Sequence, residues 1–117
     1  MISEGAYGRF EEVMDISLDS LIPGTNVFLR PMVWLASAEA HINPSAIVPL
    51  NSAAKWKKPA LVVQGEKDKL IPLHQAKELA AAANCSLWIV PGAAHAECFS
   101  VARKEFLDRL TALAHSL

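Results

Sequence analysis

The hydrophobic pattern changes character about halfway along the chain. Over residues 9–18, Phe10, Val13, Met14 and Leu18 recur at helical intervals and predict a first helix. Pro23-Gly24 breaks that pattern. Val27, Phe28, Val33, Trp34 and Leu35 supply the apolar mass of a second helix, which Thr25 or Asn26 can cap. Pro31 falls inside this run and predicts a kink or a late helix start. Asn43-Pro44-Ser45 and Val48-Pro49 mark loop or short-helix ground.

From residue 57 onward the apolar residues come in short unbroken runs. Ala60-Leu61-Val62-Val63-Gln64, closed by Gly65, reads as a strand buried on both faces, as in a parallel sheet. Residues 73–83 are alanine-rich and predict a helix that stops near Asn84. Ser86-Leu87-Trp88-Ile89-Val90, closed by Pro91-Gly92, reads as a second buried strand. Residues 100–115 predict a closing amphipathic helix through Val101, Phe106, Leu107, Leu110, Leu113 and Ala114. Strand, helix, strand, helix over 57–117 is an α/β pattern with a parallel sheet. Met1-Ile2-Ser3 reads as the tail of one more strand, and Gly5 and Gly8 bracket the turn after it. The expectation is about three parallel strands flanked by helices.

Composition narrows the class. A chain of 117 residues is at most one domain, with 52% hydrophobic and 20% charged residues. Mean hydropathy is +0.24, which excludes a disordered chain and fits a protein that buries surface against something else. The net charge of −1 gives no basic face for nucleic acid, so no nucleic-acid partner is expected. Lys55-Trp56-Lys57-Lys58 is too short a basic run to alter that and reads as a solvated lead-in to a strand. Cys85 and Cys98 make no disulfide framework and read as reduced, buried residues of a cytoplasmic protein. The first residues lack the basic and apolar regions of a signal peptide, and no run reaches the ~18 apolar residues of a membrane span.

Chemistry concentrates in two loops, each directly after a predicted buried strand. They are Gly65-Glu66-Lys67-Asp68-Lys69-Leu70-Ile71-Pro72 and Pro91-Gly92-Ala93-Ala94-His95-Ala96-Glu97. The carboxyl ends of strands are where open α/β sheets hold ligands and reacting groups. An acid and a histidine leaving the same edge can pair, with the carboxylate fixing the tautomer of a general base. Asp68 taken alone reads equally well as a cap for the helix beginning near Pro72. Glu66, Asp68, His95 and Glu97 lack any pattern that would fix a metal, so neither a metal nor a cofactor is expected. Asp15 and Asp19 read as a solvated helix face, and His41, His74 and His115 as surface residues without a partner pattern.

The stretch KPALVVQGEKDKLIPLHQAKELAAA, then LWIVPGAAHAECF, then a closing helix, resembles the last third of the α/β-hydrolases. The resemblance implies that Asp68, three residues after the strand-ending Gly65, is the triad acid. It also implies that His95, in a G-x-x-H-A turn, is the triad histidine. The two are 27 residues apart, which suits one helix and one strand between them. Acid before histidine is the family order, with the serine before both. MISEGAYGRFEEV looks like the strand, turn and helix that follow the nucleophile helix. Residues 40–59, with Asn43-Pro44 and a Lys-Pro lead-in, look like peptidase-like and dienelactone-hydrolase-like members. The expected partial α/β-hydrolase fold thus spans residues 1–117, with 10–56 as a possible cap or helical excursion and 57–117 bearing acid and histidine. Tyr7 and Phe10 would line the acyl pocket, or else simply pack.

Ile2-Ser3-Glu4-Gly5 has the look of the back half of a G-x-S-x-G nucleophile elbow, but Met1 occupies the first glycine position. Gly5-Ala6-Tyr7-Gly8 is also a poor opening for the helix an elbow requires. Cys98 reads as core filler, since a reactive thiol needs an activating site. The expectation is therefore the C-terminal part of a serine hydrolase for ester, amide or related acyl bonds. It carries acid and histidine without a nucleophile and is inactive alone. Its substrate would be a small acyl compound, and its partner a complementing N-terminal half or another copy. Two competing readings are a non-catalytic interaction module that uses an open sheet edge, and a small independent enzyme centred on Cys98 or a metal.

Overall fold

A computed structural model describes residues 1–24 and 26–117. In chain order the elements are β1 (Ile2–Glu4), α1 (Phe10–Leu21), α2 (Asn26–Glu39), a 3-10 turn (Pro44–Ala46), α3 (Pro49–Ala53), β2 (Leu61–Gly65), α4 (Leu73–Ala82), β3 (Ser86–Val90), α5 (Cys98–Val101) and α6 (Arg103–His115). The strands form one parallel sheet in the order β1-β2-β3. Ile2 lies opposite Leu61 and Glu4 opposite Val63. Leu61 lies opposite Ser86 and Gly65 opposite Val90. This is the three-stranded parallel α/β architecture the pattern predicts.

The central strand β2 is buried along its whole length because helices cover both faces. Leu61 and Val63 point to one side, where they meet Trp88, Val90, Cys98 and Phe106. Val62 points to the other, against Ala76, Leu79 and Ala80 of α4, with Leu50 and Ala53 of α3 nearby. Each buried aliphatic side chain here contributes roughly 1.5–3 kcal/mol relative to an exposed one. Phe106 anchors α6 by packing on Trp88, with centroids 5.9 Å apart, and edge-on to Phe99 at 5.5 Å.

Several elements differ from the pattern-based expectation. The first helix runs to Leu21 rather than residue 18, because Asp19 and Ser20 extend its exposed face without interrupting the turns. The second begins at Asn26, so Pro31 sits inside it and does not delay its start; a cap by Thr25 lies outside the described residues. The strand at 86–90 is half-buried rather than fully buried, because β3 ends the sheet. The closing helix is two helices, broken at Ala102 with φ −125° and ψ 42°. The break lets the first turn follow the His95 loop while α6 turns to lay Phe106 on the core.

The polar residues assigned to open solvent are also more engaged than expected. Asp15 meets Arg30 at 3.3 Å, Asp19 accepts the Gly24 amide at 2.7 Å, and His74 Nε2 lies 2.9 Å from Glu12. Among the described residues, no helix is long and apolar enough to cross a membrane.

Candidate active site

Because the three strands are parallel, their carboxyl ends open on one side of the sheet. β1 delivers Glu4 and Gly5 there, β2 delivers the loop with Asp68, and β3 delivers the loop with His95. The two loops are stitched together by main-chain bonds. Glu66 N–H donates to Val90 O at 3.0 Å, and Lys67 N–H to Ala93 O at 2.8 Å. The Glu66 carboxylate reaches back to accept the Gly92 amide at 2.9 Å. This close approach explains the glycine that ends β2. A Cβ on Gly65 would lie 2.5 Å from the carbonyl oxygens of both Ala93 and Ala94.

Asp68 is folded into its own turn. Its Oδ1 accepts the amides of Leu70 and Ile71, each at 2.9 Å. The helix-cap reading is therefore displaced by a few residues: the carboxylate organises the turn before Pro72, and α4 has no side-chain cap. Its Oδ2 accepts from Gln64 Nε2 at 2.8 Å and lies 2.9 Å from His95 Nδ1. Those four partners use the full accepting capacity of a carboxylate. The Asp68 side chain is 1% exposed and that of His95 is 40% exposed. Burial by itself pushes the Asp68 carboxyl up. The amide of Ile71, the ring of His95 and the amide of Leu70 outweigh it, so the net displacement is below the ordinary aspartate value.

The imidazole thus turns one nitrogen to a buried carboxylate and the other outward. Among the described residues, no hydroxyl or thiol is hydrogen-bonded to Nε2. A neutral ring with its proton on Nδ1 would donate to Asp68 and leave the outward nitrogen a free lone pair, as a general base requires. Ala96 directly follows with φ +57°, a left-handed conformation for a residue with a Cβ. Such strain persists where surrounding bonds hold it; here Ala94 N–H donates to Glu97 Oε2 at 3.1 Å across the same turn.

The remaining candidates separate. Ser3 lies in the middle of β1, opposite Val62, and not on a turn at a strand end. Cys98 is fully buried and its thiol is pushed up to about 12, first by burial, then by the hydrogen bond and charge of Glu4, then by Asp68. A thiol so disposed is not an activated nucleophile. Tyr7 and Phe10 pack on each other with ring centroids 5.9 Å apart. Tyr7 lines an apolar cavity of about 330 Å³ with Ser3, Ala53 and Trp56, whereas Phe10 faces a different hollow with Arg9 and Arg30. Neither cavity is lined by Asp68 or His95. Among the described residues, no group of three or more His, Cys, Asp or Glu side chains is arranged to hold a metal ion.

Three residues at this edge were not singled out by the pattern of the chain. Glu4 Oε1 accepts the Cys98 amide at 2.8 Å and ties β1 to the turn after His95. Gly5, with φ +57°, lies against the His95 ring. Gln64 is 1% exposed and holds Asp68 from behind. Only Gln64 leaves a trace, as the one polar residue in an otherwise apolar strand.

The sheet and its helices define an α/β protein. The chain is similar to an esterase of Pyrococcus furiosus in two crystal forms. In one the TM-score is 0.66 at 18% identity, and in the other 0.60 at 19%. Each match covers 96% of this chain and 42% of the esterase, so the chain spans less than half the esterase's length. No family model matches the chain, and no curated protein matches it.

Proposed function

We propose that the chain carries the acid–base part of a serine-dependent α/β-hydrolase active site for ester, amide or related acyl bonds. The observation that supports this most strongly is the 2.9 Å contact between buried Asp68 Oδ2 and His95 Nδ1, at the carboxyl edge of a parallel sheet. In this reading His95 Nε2 takes the proton of a serine hydroxyl as it attacks the acyl carbonyl. It then returns that proton to the leaving group, and repeats both transfers with water. Asp68 stays ionised throughout, holds the tautomer and stabilises the imidazolium.

The serine and the donors for the developing oxyanion would come from a strand–turn–helix unit beside β1. The outer edge of β1 is unpaired among the described residues. Next to that edge runs the apolar cavity lined by Met1, Ser3, Ala6, Tyr7 and Trp56, a fitting place for the helix of such a unit. The chain alone therefore lacks the covalent step. The test is labelling with a fluorophosphonate probe. The chain by itself stays unlabelled, and the chain joined to such a unit is labelled on the added serine. Labelling of the isolated chain, or none of a folded joined protein, would count against the proposal.

A second reading has the same open edge in its favour. A non-catalytic module would use β1 to pair with another chain, since an uncovered parallel edge is a template for a further strand. Sedimentation separates the two, because a clean monomer at high concentration leaves that edge without the self-pairing this reading needs.

A further inference from the structure

We infer that Gln64 is a positioning residue for the acid–base pair, its side-chain amide aiming the Asp68 carboxylate at His95. The inference rests on the reading of Asp68 and His95 as acid and base. The orientation of the Gln64 amide is fixed by chemistry, because both neighbours at its nitrogen end are acceptors. Nε2 lies 2.8 Å from Asp68 Oδ2 and 3.1 Å from Ile71 O. Reversing the amide would set oxygen against two oxygens. Holding it this way leaves Oε1 buried with no partner among the described residues.

An orphaned buried acceptor is unfavourable, and a Met or Leu of similar size would avoid it. A role confined to packing does not account for Gln64. Its contact with Asp68 does. The amides of Leu70 and Ile71 hold Oδ1 only, which leaves the carboxylate free to tilt about that anchored end. Among the described residues, Gln64 adds the one fixed donor on Oδ2 other than His95 itself. With three donors in place, one accepting direction remains, and it points at Nδ1. The positioned proton then sits on Nδ1 and the lone pair on Nε2.

The test is the tautomer of His95, read from the ring nitrogens of ¹⁵N-labelled protein at a pH where the ring is neutral. The chain has four histidines, and His95→Ala identifies the signals. In the unaltered chain His95 carries its proton on Nδ1, and Asp68→Asn moves most of it to Nε2. Gln64→Met lowers the ratio of Nδ1–H to Nε2–H at least threefold. The urea midpoint falls, because Asp68 Oδ2 and Ile71 O each lose a donor, while the Leu70 and Ile71 amide signals stay in place. If Gln64→Met fails to fold, Gln64→Asn, which withdraws the amide by one methylene, carries the same expectation for the ratio. A normal ratio in the Gln64 variant with inversion in Asp68→Asn overturns the inference and leaves the pair intact. So does a fall in the ratio accompanied by displaced Leu70 and Ile71 amides, which would mark a purely structural role. No change in Asp68→Asn overturns the acid–base reading itself.

Discussion

Gly5 leaves the end of β1 directly beneath the imidazole of His95: a Cβ there would stand 3.1 Å from the ring Cε1 and 3.2 Å from Nδ1. Its φ of +57° is the left-handed region, and its amide still donates to Val63 O at 3.1 Å. The residue must therefore turn sharply, keep its bond to β2 and leave room for the ring. Gly5→Ala is expected to cost about 1–2 kcal/mol from the backbone conformation alone, with ring displacement added to it. Urea unfolding measures the first effect. The His95 ring signals report the second, and an unchanged spectrum would show that the ring does not rest on Gly5.

The strand-ending Gly65 presents the harder case. Its hypothetical Cβ meets two carbonyl oxygens at 2.5 Å, and neither belongs to a flexible side chain. Gly65→Ala must push the Asp68 and His95 loops apart. The expected loss is about 1–3 kcal/mol, the usual range for forced overpacking. The amides of Lys67 and Glu66 should lose hydrogen-exchange protection in the same variant, since they bridge the two loops.

The Asp68 carboxyl gives a pH signature. Its value in the folded chain lies below the ordinary 3.8, so the ionised form is favoured by folding. The resulting stability is fully present above the unfolded value and is lost as pH falls through the folded one. Asp68→Asn removes that contribution. The variant is expected to be less stable by about 1–3 kcal/mol near neutrality, the range for leaving buried partners unsatisfied. The gap should narrow steadily below pH 3.8. Chemical denaturation across that range measures it, and a gap independent of pH would contradict the assignment.

Much of this edge was legible in the sequence, for physical reasons. An unbroken apolar run closed by glycine is what a strand covered on both faces requires, and β2 has that form. Asp68 and His95 each follow such a run, so the parallel arrangement brings them to one side of the sheet. What the pattern did not carry depends on contacts between distant segments. Nothing around Glu4 or Gly5 announces that they will meet Cys98 and His95, 94 and 90 residues away. The half-burial of β3 follows from its place at the end of the sheet, which periodicity does not encode. The break at Ala102 escaped because the apolar spacing continues across it. Tyr7 and Phe10 are open in the sequence to pocket lining or to packing; their rings pack on each other, and each borders a different hollow.

Cys98 offers a check on the reading that places a thiol at the centre of an independent enzyme. It is fully buried and its thiol is pushed up to about 12. At pH 8 it should resist iodoacetamide in the native chain and react on unfolding, while Cys85, which is half-buried, reacts sooner. The raised value also means that folding favours the neutral thiol. The associated stability is present below the ordinary 9.0 and is lost as pH rises toward 12. Mass spectrometry of alkylated peptides separates the two cysteines. Rapid native alkylation of Cys98 would revive the thiol reading.

The most direct measurement is hydrolysis of p-nitrophenyl butyrate by the chain joined to a strand–turn–helix unit that supplies a serine, compared with its His95→Ala and Asp68→Asn variants. The account predicts turnover that falls by about 10²–10⁴-fold in His95→Ala, the usual range for loss of a general base. It predicts a large fall in Asp68→Asn as well, because the wrong tautomer is then favoured. Turnover unaffected by either substitution, in a joined protein shown to be folded, would contradict it.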